Sequence, residues 1–207
     1  MEFGPDLQDG LSRLFRWRRD VRHFRTDPLC PDTVDDLLAE ADMAPSVGLS
    51  QPWRWVHVQS LGARAAVRAN YEAANAEALA AQDDCRRGLY ARLKLAGLDE
   101  APVQIAVFCD EGTEQGARLG THTMPEMRRY SVVCAVFQIW LAARARGVGL
   151  GWVSILDPDR LNRDLDVPAD WRLIAYLCLG YPAEDHDDPE LERAGWETRR
   201  THPPLTR

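Results

Sequence analysis

The chain reads as one α+β domain, and three observations lead there. Apolar residues recur at helical spacing in two stretches, Val34 to Ala41 and Glu126 to Arg146. Short apolar runs bounded by Gly or Pro suggest strands at 53–59, 103–109, 148–156 and 173–179. Their order, with helices before and between the first strands, lacks the regular alternation of a βαβ series.

Each element has a local cause. Pro31 suits the first turn of a helix, Asp32, Asp35 and Asp36 suit its positive end, and Val34, Leu37, Leu38 and Ala41 form its apolar stripe. Pro45 ends it, and the Ser/Gly/Pro stretch to Pro52 is a loop that feeds the alternating strand from Trp53 to Gln59. Leu61 to Leu95 is rich in alanine and arginine and free of proline, which predicts one long or two shorter helices, partly exposed. Val103 to Cys109 follows Pro102 as a buried strand. Glu126 to Arg146 is apolar nearly all round and predicts a central helix, stopped by Gly147. A glycine-interrupted strand over 148–156 and a last strand over 173–179 complete the pattern. Beyond Pro182 the chain is polar and proline-rich through Trp196, Arg199 and Arg200, so this tail is expected to fray or to wrap a partner subunit.

Composition excludes several classes. A formal charge of −7 over 207 residues argues against a nucleic-acid surface, which needs a broad basic face. The five cysteines, Cys30, Cys85, Cys109, Cys134 and Cys178, form no C-x-x-C pair and read as small buried residues of a reducing compartment. With no leader and no apolar run of about 20 residues, a cytoplasmic protein is expected, without membrane partners. The histidines show no metal-ligand spacing, so no metal is expected. Gly147, Gly149 and Gly151 alternate, but they precede a strand and do not open a helix after one, so a dinucleotide fingerprint fails on context. No G-x-S-x-G and no Walker loop is present.

Two clusters carry chemistry. Arg18, Arg19 and Arg22 surround Asp20 in Arg18–Phe24, and guanidinium groups present fixed forks of donors to phosphate oxygens. Taken alone, such a stretch is as readily a solvated basic patch. The second cluster, Ala44 to Trp53, sits at a helix-to-strand turn and includes Ser46. Asp20 is the odd member: paired with a neighbouring arginine it would be inert, but facing the site it becomes a candidate for chemistry. Ser154 and Lys94, in isolation, are an ordinary strand serine and a surface lysine.

At these residues the chain resembles the FMN-dependent nitroreductase family, whose pattern opens with R-R-S-x-R-x-F and continues with P-S-x-x-x-Q-P-W. Here those are Arg18–Phe24 and Pro45–Trp53. The resemblance extends through the glycine turn to the C-terminal arginines. It implies a single domain over 1–207, a central and mainly antiparallel sheet flanked by helices, and an interlocked homodimer whose terminal segments wrap the partner. Two flavin sites would lie at the interface, each built from both chains.

Asp20 stands where the family usually has serine, and Gly151-Trp152-Val153-Ser154 stands where a glutamate-glycine pair is frequent. With Arg92–Leu98 and Glu100–Asp110, these departures resemble a flavin-fragmenting branch of the family. For that branch the implied activity is oxygen-dependent fragmentation of reduced FMN, as substrate, through a flavin hydroperoxide. The products would be 5,6-dimethylbenzimidazole, the lower ligand of vitamin B12, and erythrose 4-phosphate. NAD(P)H would act only through a separate flavin reductase.

Carried over residue by residue, Arg18, Arg19 and Arg22 would hold the phosphate and ribityl chain. Ser46 and Lys94 would contact the flavin, and Arg199, with Arg200 as its alternative, would close the phosphate site. Asp20 would be the catalytic base, since a partly desolvated carboxylate accepts a proton where a serine does not. Ser154 would present its backbone N–H to the reactive flavin nitrogen and stabilise the peroxide. The rival expectations are an NAD(P)H-dependent nitroreductase that retains its FMN, and a non-catalytic flavin carrier.

Overall fold

The computed structural model describes residues 1–206. Among them the strands β1 (Trp53–His57), β2 (Val103–Asp110), β3 (Gly149–Val153) and β4 (Trp171–Gly180) form one sheet in the order β1-β2-β4-β3. All three pairings are antiparallel. The helices are α1 (Pro5–Trp17), α2 (Pro31–Ala41), α3 (Leu61–Ala80), α4 (Asp84–Tyr90), α5 (Met127–Ala145), α6 (Pro158–Asp164) and the short α7 (Glu190–Arg193).

The two-residue period of β2 explains why the sheet has a core on each face. Ile105, Val107 and Cys109 point to one side, where Leu37 and Ala41 of α2 and Val132, Val136 and Ile139 of α5 cover them. Ala106 and Phe108 point to the other, against Val67 of α3, Leu161 of α6 and Tyr176 of β4. A register shift between Val107 and Phe108 marks a bulge in the β2–β4 pair. The result is three layers, α2 and α5, sheet, α3 and α6. None of the helices among the described residues is long and apolar enough to cross a membrane.

The two strongly periodic helices form as expected over 31–41 and 127–145, and the alanine-rich stretch resolves into α3 and α4. Strands β1 and β3 end earlier than expected, at His57 and Val153, so Ser154 lies just past a strand and not within it. Helices α1 and α6, which the sequence reading did not anticipate, both start on a proline. Cys109 and Cys178 are buried, whereas Cys30, Cys85 and Cys134 are exposed, which corrects the expectation of five buried thiols. Cys30 precedes α2, Cys85 lies in the exposed first turn of α4, and Cys134 sits on the outer side of α5, so none of the three faces a second layer.

Helix α1 has no buried residue, and it exposes Leu7, Leu11 and Phe15. Beside it, α5 exposes Tyr130, Val133 and Phe137 on the side away from the sheet. An apolar surface of this kind on two adjacent helices is characteristic of an interaction face. The tail does not simply fray: Trp196 lies edge-on to Tyr90 of α4, with Arg86 over its ring.

Candidate active site

The segment from Arg18 to Phe24 is extended and lies along the edge strand β3. Asp20 bridges to Leu150 in parallel register, and the Val21 N–H donates to the Leu150 carbonyl at 3.1 Å. The glycines of β3 make this approach possible, because a methyl on Gly151 would overlap the Val21 carbonyl oxygen and one on Gly149 would meet the Val21 side chain. Gly149 and Gly151 thus let the arginine segment dock on β3.

An extended chain sends residues i and i+2 to the same side. Arg22 therefore reaches Asp20, donating from Nε to Oδ2 at 2.8 Å. The other carboxylate oxygen, Oδ1, accepts the backbone N–H of Trp152 at 2.9 Å. Arg22 also donates from Nη1 to the Lys94 carbonyl at 3.1 Å, which ties the segment after α4 to the site. Lys94 itself turns its ammonium to Glu100.

Arg18, Arg19, Asp20, Arg22 and Arg199 line one cleft of about 170 Å³ together with Glu190. Arg19 donates from Nε and Nη2 to the Asp187 carbonyl at 3.0 and 2.6 Å. Arg18 lies over the Trp140 ring, 4.6 Å from its centroid. Burial lowers the Arg18 pKa, with Asp20 opposing and Arg199 adding to the depression. Burial likewise lowers that of Arg19, reinforced by Arg199 and Arg18. Among the described residues no carboxylate pairs with Arg18 or Arg199. Arg18 and Arg199 thus bring guanidinium donors without a carboxylate partner into one cleft, the chemistry that suits an anion. Arg200 instead pairs with Glu197, which distinguishes the two C-terminal arginines.

Ser154 is exposed, two residues beyond Trp152 and so about 7 Å along the chain from the amide that holds Asp20. Ser46 is elsewhere. Its Oγ accepts the Gln51 N–H at 3.1 Å, the neighbouring Val47 N–H donates to Ser131 Oγ on α5 at 3.0 Å, and Trp53 Nε1 donates to Asp42 at 2.6 Å. These bonds close the Pro45–Trp53 loop into a rigid platform, with Gly48, Leu49 and Gln51 at φ of 58°, 56° and 40°. Ser46 lines neither of the two clefts that the arginines form. One chain thus brings together Arg18, Arg19, Asp20, Arg22, Arg199 and the Lys94 backbone, with Ser154 close by, and leaves Ser46 apart. The sequence reading did not single out Trp140 and Trp152. Their signal was hidden, since one sits in a helix that is apolar all round and the other contributes a backbone N–H.

This fold and this site define a class of protein: the Nitroreductase family profile matches residues 15–181, and the chain belongs to the Nitroreductase family. It is 58% identical over 205 residues to a 5,6-dimethylbenzimidazole synthase of Rhodospirillum rubrum, covering 99% of this chain and 97% of that protein. A 5,6-dimethylbenzimidazole synthase of Rhodobacter capsulatus is 47% identical over 197 residues, 95% of each chain. Among solved structures, oxidized iodotyrosine deiodinase bound to FMN and 3-iodo-L-tyrosine superposes with a TM-score of 0.73 at 22% identity, covering 95% of this chain and 97% of that one. At that identity the likeness establishes the fold.

Proposed function

We propose that the chain catalyses the oxygen-dependent fragmentation of reduced FMN to 5,6-dimethylbenzimidazole and erythrose 4-phosphate. The observation that carries this reading is a carboxylate set into the rim of an arginine cluster. Asp20 shares its cleft with Arg18, Arg19 and Arg199, the arrangement expected where a phosphorylated ligand must meet a base. The two near full-length relatives of that name support it.

The residues fit the substrate. Arg18 and Arg199 have guanidinium donors without carboxylate partners and would take the FMN phosphate, while Arg19 is already braced on the Asp187 carbonyl. Reduced flavin supplies the reaction with oxygen when bound, and the protein supplies position, polarity and exclusion of water. Asp20 retains unoccupied lone pairs on both oxygens, each of which accepts one N–H, and would take a proton from the first ribityl carbon. Ser154, exposed at the end of β3, would orient the oxygen-bearing edge of the ring by its backbone N–H and hydroxyl. Lys94 would cover the flavin from the segment that Arg22 anchors.

The cleft of about 170 Å³ and an adjoining one of about 290 Å³ that shares Arg19, Asp20 and Arg22 are each below the roughly 300 Å³ at which small-molecule sites begin, so one chain forms only part of the site. We infer that two copies pair through the exposed apolar faces of α1 and α5, and that each Ser46 platform completes the partner's flavin site. The enzyme would act in the cytoplasm, without a metal, and draw reduced FMN from a separate NAD(P)H-dependent flavin reductase.

The test is incubation of the purified protein with excess FMN, a flavin reductase, NADH and air, followed by mass spectrometry. Appearance of 5,6-dimethylbenzimidazole in step with loss of flavin supports the reading. Intact flavin together with protein-dependent reduction of a nitroaromatic would replace it by an ordinary nitroreductase activity.

A further inference from the structure

Trp140 belongs to the central helix, yet three of its neighbours belong to the candidate site. The Arg18 guanidinium lies over its ring at 4.6 Å from the centroid, and its indole N–H donates to the Arg19 carbonyl at 3.2 Å. Its ring also packs against Trp152, with centroids 6.2 Å apart and planes inclined by 54°. Trp152 is the residue whose backbone N–H holds Asp20. Around it α5 is fixed by Val136, Ile139 and Ala143, all fully buried, so the indole is presented from a rigid element.

This arrangement has a chemical consequence for Arg18. A free arginine loses much rotamer freedom when it clamps an anion, whereas one already laid on an aromatic face has lost part of it beforehand. A guanidinium resting on an aromatic face keeps its N–H groups available for a ligand. The indole N–H bond to the Arg19 carbonyl fixes the backbone at the same place, so one side chain steadies both the Arg18 guanidinium and the segment that carries it.

We propose that Trp140 is the positioning residue through which this site selects a phosphorylated flavin over an unphosphorylated one. The proposal rests on the reading above that Arg18 and Arg199 take the phosphate of FMN. Trp140 makes no hydrogen bond to Asp20 and reaches it only through Trp152, so its direct contacts with the site are those to Arg18 and Arg19.

The experiment measures dissociation constants of full-length protein for reduced FMN and reduced riboflavin under anaerobic conditions, in the wild type, Trp140→Phe and Trp140→Leu. The wild type is expected to prefer FMN. Trp140→Leu is expected to weaken FMN binding about tenfold, equivalent to about 1.4 kcal/mol, while riboflavin binding changes less than about twofold. Trp140→Phe keeps a ring beneath Arg18 but removes the bond to Arg19, and is expected to fall between the two. Equal weakening of both flavins, or an unchanged ratio of the two in the variants, would overturn the proposal. If Trp140→Leu does not fold, the ratio in Trp140→Phe decides. A wild type that binds the two flavins equally would remove the phosphate assignment itself, and this proposal with it.

Discussion

Asp20 is held from two directions, by the Trp152 N–H at 2.9 Å and the Arg22 guanidinium at 2.8 Å. Its geometry therefore does not depend on the ligand, and an amide at this position keeps one of the two anchors. In Asp20→Asn the amide oxygen still accepts the Trp152 N–H, but the NH2 replaces the oxygen that accepts from Arg22, so that bond is lost together with the ability to accept a proton. Binding of reduced FMN is expected to stay within about threefold, while benzimidazole formation falls by about 10²- to 10⁴-fold. Anaerobic flavin titration and single-turnover product analysis measure the two quantities, and product at the wild-type rate would end the role of Asp20 as base. Arg22 is committed to Asp20 and the Lys94 carbonyl, so its contribution is to brace the base and the covering segment, more than to hold phosphate.

At the scale of elements, the site depends on how closely the 18–24 segment lies on β3. Gly151→Ala places a methyl in the Val21 carbonyl and is expected to lift this segment. A loss of about 1–3 kcal/mol in urea unfolding is expected, together with loss of FMN binding. A stable variant with normal flavin affinity would show that the segment does not need this contact. The outer face of α5 belongs to the same scale. Phe137, 44% exposed in the single chain, is expected to lie in the interface between copies. Because the Arg18 guanidinium lies 6.0 Å from the centroid of the Phe137 ring, the pairing is tested at Val133 on the same exposed face: Val133→Glu should convert a dimer to a monomer in light scattering and abolish product, because each site would lose the Ser46 platform of its partner. A monomeric wild type would refute the pairing.

For the whole molecule, the two buried thiols and a buried phenol link folding to alkaline pH. Burial pushes Cys109 and Cys178 up from 9.0 to about 12, and raises the Tyr176 phenol, whose hydroxyl donates to Gln104 at 2.7 Å. The folded state therefore keeps protons that the unfolded chain releases first. Stability from these groups is fully present below pH 9 and declines as pH rises from about 9 towards 12. The limiting slope is about 1.4 kcal/mol per pH unit for each group ionised only in the unfolded chain. Urea midpoints measured between pH 8 and pH 11 check this on the order of one pH unit at a time, and a flat profile above pH 9 would contradict it.

Much of this protein was legible without coordinates wherever the signal is local. The helices at 31–41 and 127–145 follow from period and punctuation, and the strands from short apolar runs, because one face of each must be buried. The arginine segment, Asp20 and the proline-serine loop could be singled out as candidates because residue type limits what they can bind. The amphipathic α1 was not among the expected elements although Leu7, Leu11, Leu14 and Phe15 recur at helical spacing after Pro5, and three cysteines expected inside are exposed for want of a second layer over them. Only the tertiary structure decided that Arg22 grips Asp20, that Arg199 and not Arg200 joins the cleft, that Ser46 lies apart from both, and that Trp140 carries Arg18. The Arg22–Asp20 bond follows once docking on β3 extends the segment, while that docking, the cleft with Arg199 and the Trp140 contact join residues more than a hundred positions apart, and local sequence preference carries no information about such distant pairings.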